Sequence, residues 1–180
     1  MFPIFKRNRY FTGKLMSEKD FQDEQEYFIG KLRLHNRLLH GYGVVTGLEV
    51  CISDDPPGQV RVEAGYAIDR LGNDVILREA QTATLPERGK KAYVVLEYAE
   101  VETDFTPGVS GETRGGEAEM ATRILEDTVL SLIMARSGED GYAGDGIVLG
   151  LLKKRGGVWR VDQRFEAASL KYSRESIGGE

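Results

Sequence analysis

Between Ser17 and His40 the apolar residues recur with a helical period: Phe21, Phe28, Leu32, His35 and Leu39 fall seven, four, three and four residues apart, flanked by Tyr27, Leu34 and Leu38. Ser17 followed three residues later by Asp20 has the form of a capping box, and Gly41 stands where a helix ends in a left-handed residue. Acidic residues fill the first half of the segment, while Lys31, Arg33, Arg37 and two histidines fill the second, matching the helix dipole at both ends. The pattern predicts one amphipathic helix over 17–40, about 36 Å long at about 1.5 Å per residue.

After Gly41 the period shortens to two, in short β-rich runs separated by turn residues. Val44 to Ile52 reads as one strand, Asp54 to Gly58 as a turn and Gln59 to Glu63 as the next strand. Tyr66 to Asp69 and Asp74 to Arg78 flank Leu71-Gly72-Asn73 as a hairpin. Ala92 to Val101 reads as a half-buried strand, and Ile147 to Lys154 meets Val158 to Val161 across Arg155-Gly156-Gly157. Ile124 to Ala135 is open between strand and helix, its last residues leaning towards strand. The segments 103–119 and 137–146, rich in Gly and Glu without periodicity, are expected to be mobile loops.

The chain has 180 residues, enough for one domain with a core. With 24 Lys and Arg against 29 Asp and Glu its net charge is −5, so it carries no electrostatic footprint for nucleic acid. No run approaches the length of a membrane-crossing helix, and no signal-peptide core follows Lys6, Arg7 and Arg9; cytoplasmic synthesis without membrane insertion is the expectation. The single cysteine, Cys51, excludes an internal disulfide and a four-cysteine zinc site, and is expected to be a buried, inert thiol.

Catalytic chemistry is not advertised. Gly41-Tyr42-Gly43 lies between a helix and a strand, the reverse of a phosphate loop. His35 and His40 are five apart, off the four-residue spacing of two ligands on one α-helical face; His35 is expected to be semi-buried and hydrogen-bonded, His40 to meet terminal carbonyls. Glu139, Asp140 and Asp145 do not reproduce a calcium loop and read as solvated. Neither a nucleophile elbow nor a nucleotide-binding motif is present. The expectation is no enzyme, no cofactor and no metal. The arm Phe5-Lys6-Arg7-Asn8-Arg9-Tyr10-Phe11 has instead the composition of an interface anchor, which either folds over its own domain or docks on a neighbouring subunit.

Several strings carry a resemblance. Arg9 to Leu15, Asp20-Phe21, Glu24-Gln25, Tyr27, Arg33 to Val45 and Gly47-Leu48 are together similar to a family of bacterial proteins encoded with phage-tail-like contractile injection particles. Val62 to Asp69 and Gly72 to Leu77 resemble a β-element of tail-fibre and baseplate-attachment domains, with Ala64 where those often carry proline. Tyr93 to Tyr98 and the hairpin from Ile147 to Arg164 resemble the closing strands of the same domains. The resemblance implies a non-enzymatic structural or adaptor component of such a particle: a fibre, a fibre adaptor or a baseplate accessory. Its partners would be other tail or baseplate subunits, and it would be a homo-oligomer, a trimer being one natural form.

The expected architecture is α+β, mainly β, with the long N-terminal amphipathic helix packed on a β-sandwich or partial barrel. Residues 1–16 form the arm, 17–40 the helix, 42–165 the β-rich domain and 166–180 a tail. The candidate partner interface comprises Arg9, Tyr10, Phe11, Arg33, Asn36, Arg37 and His40. The competing expectation is a stand-alone glycan-binding β-sandwich module that uses Tyr42, Tyr66 or Tyr142 for stacking.

Overall fold

A computed structural model describes residues 3–55, 57–107, 119–135 and 141–170. Helix α1, Glu18–His35, begins as the capping box predicts. The Ser17 hydroxyl accepts from the Asp20 N–H, and the Asp20 carboxylate accepts from the Ser17 N–H at 2.9 Å. The helical run does not stop at His35. It widens into a five-residue π-helical turn, Asn36–His40, and ends at Gly41, which has φ 84° and donates its N–H to the Asn36 carbonyl at 2.9 Å.

Ten strands follow among the described residues: β1 Gly43–Gly47, β2 Val50–Ser53, β3 Gln59–Val62, β4 Gly65–Ile68, β5 Asp74–Leu77, β6 Gln81–Thr84, β7 Lys91–Pro107, β8 Glu119–Met134, β9 Ile147–Arg155 and β10 Val158–Val161. They pair antiparallel in three sheets, ordered β1-β4-β5, β2-β3-β6 and β10-β9-β7-β8. The whole is mainly β, with a curled half-barrel sheet. Inward-facing residues of all three sheets share one core, in which Val60, Val62, Val75, Val94, Leu96 and Leu152 are almost wholly excluded from water.

Both predicted hairpins form, β4–β5 and β9–β10. In the first, the buried Asp69 carboxylate accepts the N–H groups of Leu71 and Asn73 at 2.8 and 2.9 Å, an Asx turn that holds the loop. In the second, Gly156 and Gly157 take φ 57° and 83°, the sign a tight two-residue hairpin turn requires.

Other expectations need correction. The run Val44 to Ile52 is two strands, because Gly47 and Leu48 both take positive φ and turn the chain so that Leu48 enters the core. The ambiguous run Ile124 to Ala135 is strand as far as Met134. Thr103–Pro107, read as loop, continues β7, whose register with β8 holds from Ala92↔Met134 to Pro107↔Glu119. Of the two loop expectations, residues 108–118 and 137–140 lie outside the described residues. Strand β6 had no apolar alternation to announce it and is held by pairing with β3, Val60 opposite Ala83. Cys51 is exposed, since Val50 and Ile52 turn inward and the alternation puts Cys51 out.

The largest correction concerns the helix. It was expected to pack its stripe on the sheets, yet α1 has no buried residue, and Phe21, Phe28 and Leu32 stay 59%, 61% and 52% exposed. The β core closes on side chains of its own strands. The helix is tied to it from its C-terminal end, where the buried Asn36 amide donates to the Gly72 carbonyl at 2.9 Å and to Asp74 Oδ1 at 3.3 Å. Gly72, with φ 88°, is required there, because a Cβ would overlap the Arg33 carbonyl.

Candidate interface: the N-terminal arm and helix α1

The arm lies along the first turns of α1. The Phe5 ring meets Tyr27 edge-on at 6.1 Å, and the Asn8 amide donates to the Asp20 carbonyl oxygen. Tyr10 donates its hydroxyl to Glu24 Oε2 at 2.9 Å, a bond that raises its pKa. Lys14 pairs with Asp20 at 2.8 Å and lies 5.5 Å from the Tyr10 ring centroid. That lysine, with the Ser17 hydroxyl and N–H, holds the Asp20 carboxyl well below the usual carboxylate range.

Fixing the arm in this way leaves an apolar surface in water. Ile4, Tyr10, Phe11 and Leu15 on the arm are 89%, 56%, 66% and 91% exposed. On α1 and the π turn, Phe21, Phe28, Ile29, Leu32, Leu38 and Leu39 are exposed as well. Scattered exposed apolar residues are ordinary; a series of them on one arm and one helix makes this the candidate interaction surface.

The sequence-predicted residues fall into two groups at opposite ends of the helix. Arg9, Tyr10 and Phe11 are exposed beside its N-terminal half. At the other end Arg33 pairs with Glu100 at 3.4 Å and lies 5.7 Å from the Tyr98 ring centroid. Burial and the Glu100 hydrogen bond push the Tyr98 hydroxyl pKa up. Asn36 is buried, its amide engaged by the β4–β5 turn, whereas Arg37 is exposed. His40 Nε2 stands 3.2 Å from His35 Nε2: the π turn brings residues five apart onto one side, so His35 is exposed beside His40 and not sunk in a stripe. Sequence reasoning passed over Ile4 and Leu15, apolar residues with no periodic partner, and placed Leu38 and Leu39 in the helical pattern, whereas the structure leaves both exposed. Among the described residues no group of three or more His, Cys, Asp or Glu could hold a metal ion.

Of the three tyrosines singled out for stacking, two line one cleft and Tyr66 does not. Tyr66 donates to Asp74 Oδ1 at 2.6 Å, and burial pushes its pKa up to about 12. Tyr42 and Tyr142 share a cleft of about 400 Å³ with Arg70, Tyr93, Ile147 and Phe165. Tyr142 donates to Glu97 Oε1 at 2.8 Å. Of the acidic loop residues, Glu139 and Asp140 lie outside the described residues, and Asp145 accepts the Arg70 N–H through its backbone carbonyl at 3.4 Å.

No family model matches this chain, and no curated protein matches it by sequence. Solved structures do match. A chain of the type VI secretion baseplate complex aligns over 92% of this chain and 60% of its own length, with TM-score 0.56 and 15% identity. A chain of the TssK-TssF-TssG baseplate subcomplex aligns over 91% and 62%, with TM-score 0.57 and 13% identity. The crystal structure of TssK aligns over 88% and 41%, with TM-score 0.52 and 15% identity. This chain thus spans about three fifths of the first two chains it matches. At such identities the likeness is one of fold, and in fold this chain is similar to baseplate proteins of the type VI secretion system, TssK among them.

Proposed function

We propose that this protein is a non-enzymatic structural or adaptor component of a contractile, phage-tail-like particle, placed at the baseplate and working by protein–protein assembly. The observation that carries the reading is the unburied apolar surface of the arm and α1. A helix of 18 residues gains little stability from propensity alone and needs a packed face, which its own β domain does not provide. The fold likeness to baseplate proteins supports the same reading, as does the absence of an evident acid–base or nucleophile set in the sequence. The partners are other tail or baseplate subunits, reached through Arg9, Tyr10 and Phe11 at one end of the helix and Arg37 with Leu38 and Leu39 at the other. A second copy of the chain is a further occupant of the same surface.

The test is purification of the natively expressed protein, followed by identification of what comes with it. Baseplate, sheath or tube subunits should co-purify with the intact chain and be lost from a Phe28→Glu/Leu32→Glu variant that remains folded. A wild-type chain that purifies alone from cells making the particle refutes the proposal.

A further inference from the structure

The cleft beside β1 is a second site, apart from the helix. Its walls come from five parts of the chain, each tied down. Tyr42 leaves the π turn, Tyr93 belongs to β7, and Ile147 and Val148 open β9. The Arg70 N–H donates to the Asp145 carbonyl, and the Tyr142 hydroxyl is held by Glu97. Phe165 and Ala168 are brought in by the chain after β10, whose Ala168 carbonyl accepts the Val44 N–H at 2.7 Å while Leu170 donates to the Val44 carbonyl at 3.0 Å. A cavity of about 400 Å³ lined this way is within the usual size of a small-ligand site and is formed before anything enters.

Its chemistry is specific. The guanidinium of Arg70 lies 5.0 Å from the Tyr42 ring centroid at the cleft, and among the described residues it has no carboxylate partner. The Tyr42 ring holds the guanidinium by cation–π attraction, and a guanidinium presents a fork of N–H donors that matches a carboxylate. The rest of the wall is aromatic and aliphatic, with Gly141 and Gly146 among its residues. The ligand therefore carries a carboxylate immediately beside an apolar group.

Two alternatives fit less well. A sugar stacks on an open aromatic face, but the Tyr42 ring already has Arg70 over it. An internal peptide segment adding as a strand needs an open backbone edge, and the Val44 edge is closed by residues 168–170. A chain end needs neither, since its terminal carboxylate and last side chain leave the same Cα.

We propose that this cleft captures the C-terminus of a partner polypeptide, with Arg70 taking the terminal carboxylate and the pocket of Tyr93, Val148 and Phe165 taking an aromatic or branched last side chain. The proposal goes beyond the baseplate reading and does not rest on it, because binding is measured on the isolated full chain.

The experiment is calorimetric titration with an acetylated hexapeptide ending in Phe with a free carboxylate. Four comparisons accompany it: the same peptide as its C-terminal amide, the peptide ending in Ala, N-acetylphenylalanine, and the original peptide against Arg70→Met and Arg70→Lys. Arg70 is exposed, so both variants should melt with the wild type. Saturable binding is expected, weakened at least about tenfold by amidation, by the terminal Ala and by Arg70→Met, with Arg70→Lys in between. Lack of saturation up to about 1 mM, a dissociation constant corresponding to only about 4 kcal/mol, overturns the site. Equal binding of acid and amide overturns the role of Arg70, and N-acetylphenylalanine binding as tightly as the peptide overturns the polypeptide source.

Discussion

Truncating the helix stripe separates a helix that serves its own core from one that serves a partner. Phe28 is 61% and Leu32 52% exposed, so about two fifths of the first and half of the second are buried in the isolated chain. Full burial of such a side chain contributes about 1.5–3 kcal/mol, so Phe28→Ala and Leu32→Ala should each cost the isolated chain about 1 kcal/mol. A core position would lose about 2–5 kcal/mol, with a cavity added to the lost transfer energy. On the proposed reading the same two side chains fill a desolvated contact in an assembled particle, and each truncation should then weaken association by about 2 kcal/mol or more, about thirtyfold. The assay pairs urea unfolding, at dilutions where the midpoint no longer depends on protein concentration, with quantitative recovery of the variant in purified particles. Small losses of stability with large losses of incorporation are expected. A loss above about 3 kcal/mol from the diluted chain, or unchanged incorporation of both variants, refutes the reasoning.

Asn36→Ala should destabilise the fold by about 1–3 kcal/mol in urea, because the Gly72 carbonyl and Asp74 lose their buried donor. Gly72→Ala should cost at least about 2 kcal/mol by the same assay, combining positive φ with overlap on the Arg33 carbonyl, and should disturb amide NMR shifts at the end of α1. The carboxyl of Asp20 is held below its unfolded value by Lys14 and Ser17, so its contribution is present above about pH 4 and is lost as pH falls through the lowered folded value. Acid titration followed by NMR should therefore release the arm in the wild type, whereas Asp20→Asn should show a loose arm at neutral pH. Tyr66 has the opposite sense: its folded pKa of about 12 lies above the ordinary value near 10, so its contribution is complete below about pH 10 and disappears between the two. Tyr66→Phe should remove that alkaline step from the stability profile and one late-titrating phenol from the tyrosinate absorbance.

What could be read from the chain was local in origin. The start of α1 depends on Ser17 and Asp20, three residues apart, and the β4–β5 and β9–β10 turns on Asp69 with Gly72 and on Gly156-Gly157. Such signals act through backbone dihedrals and hydrogen bonds spanning a few residues, so neighbouring sequence suffices. An amphipathic stripe, by contrast, states only that a face is apolar. Whether Phe28 meets its own sheet or another molecule depends on how completely the strands close over Val60, Leu96 and Leu152, which no window of the sequence contains. The same limit hid β6, which owes its strand conformation to β3, and the closeness of His35 and His40, which owes itself to the π turn. It also hid the cleft, where Tyr42, Arg70, Tyr142 and Phe165 meet from positions up to 123 residues apart in the sequence. Composition and periodicity set the class of most elements and the start of α1, but not β6, the break at Gly47 and Leu48, or the reach of β7. Tertiary structure decided which apolar faces were buried and which were left exposed, because burial is a property of the closed core and not of any one segment.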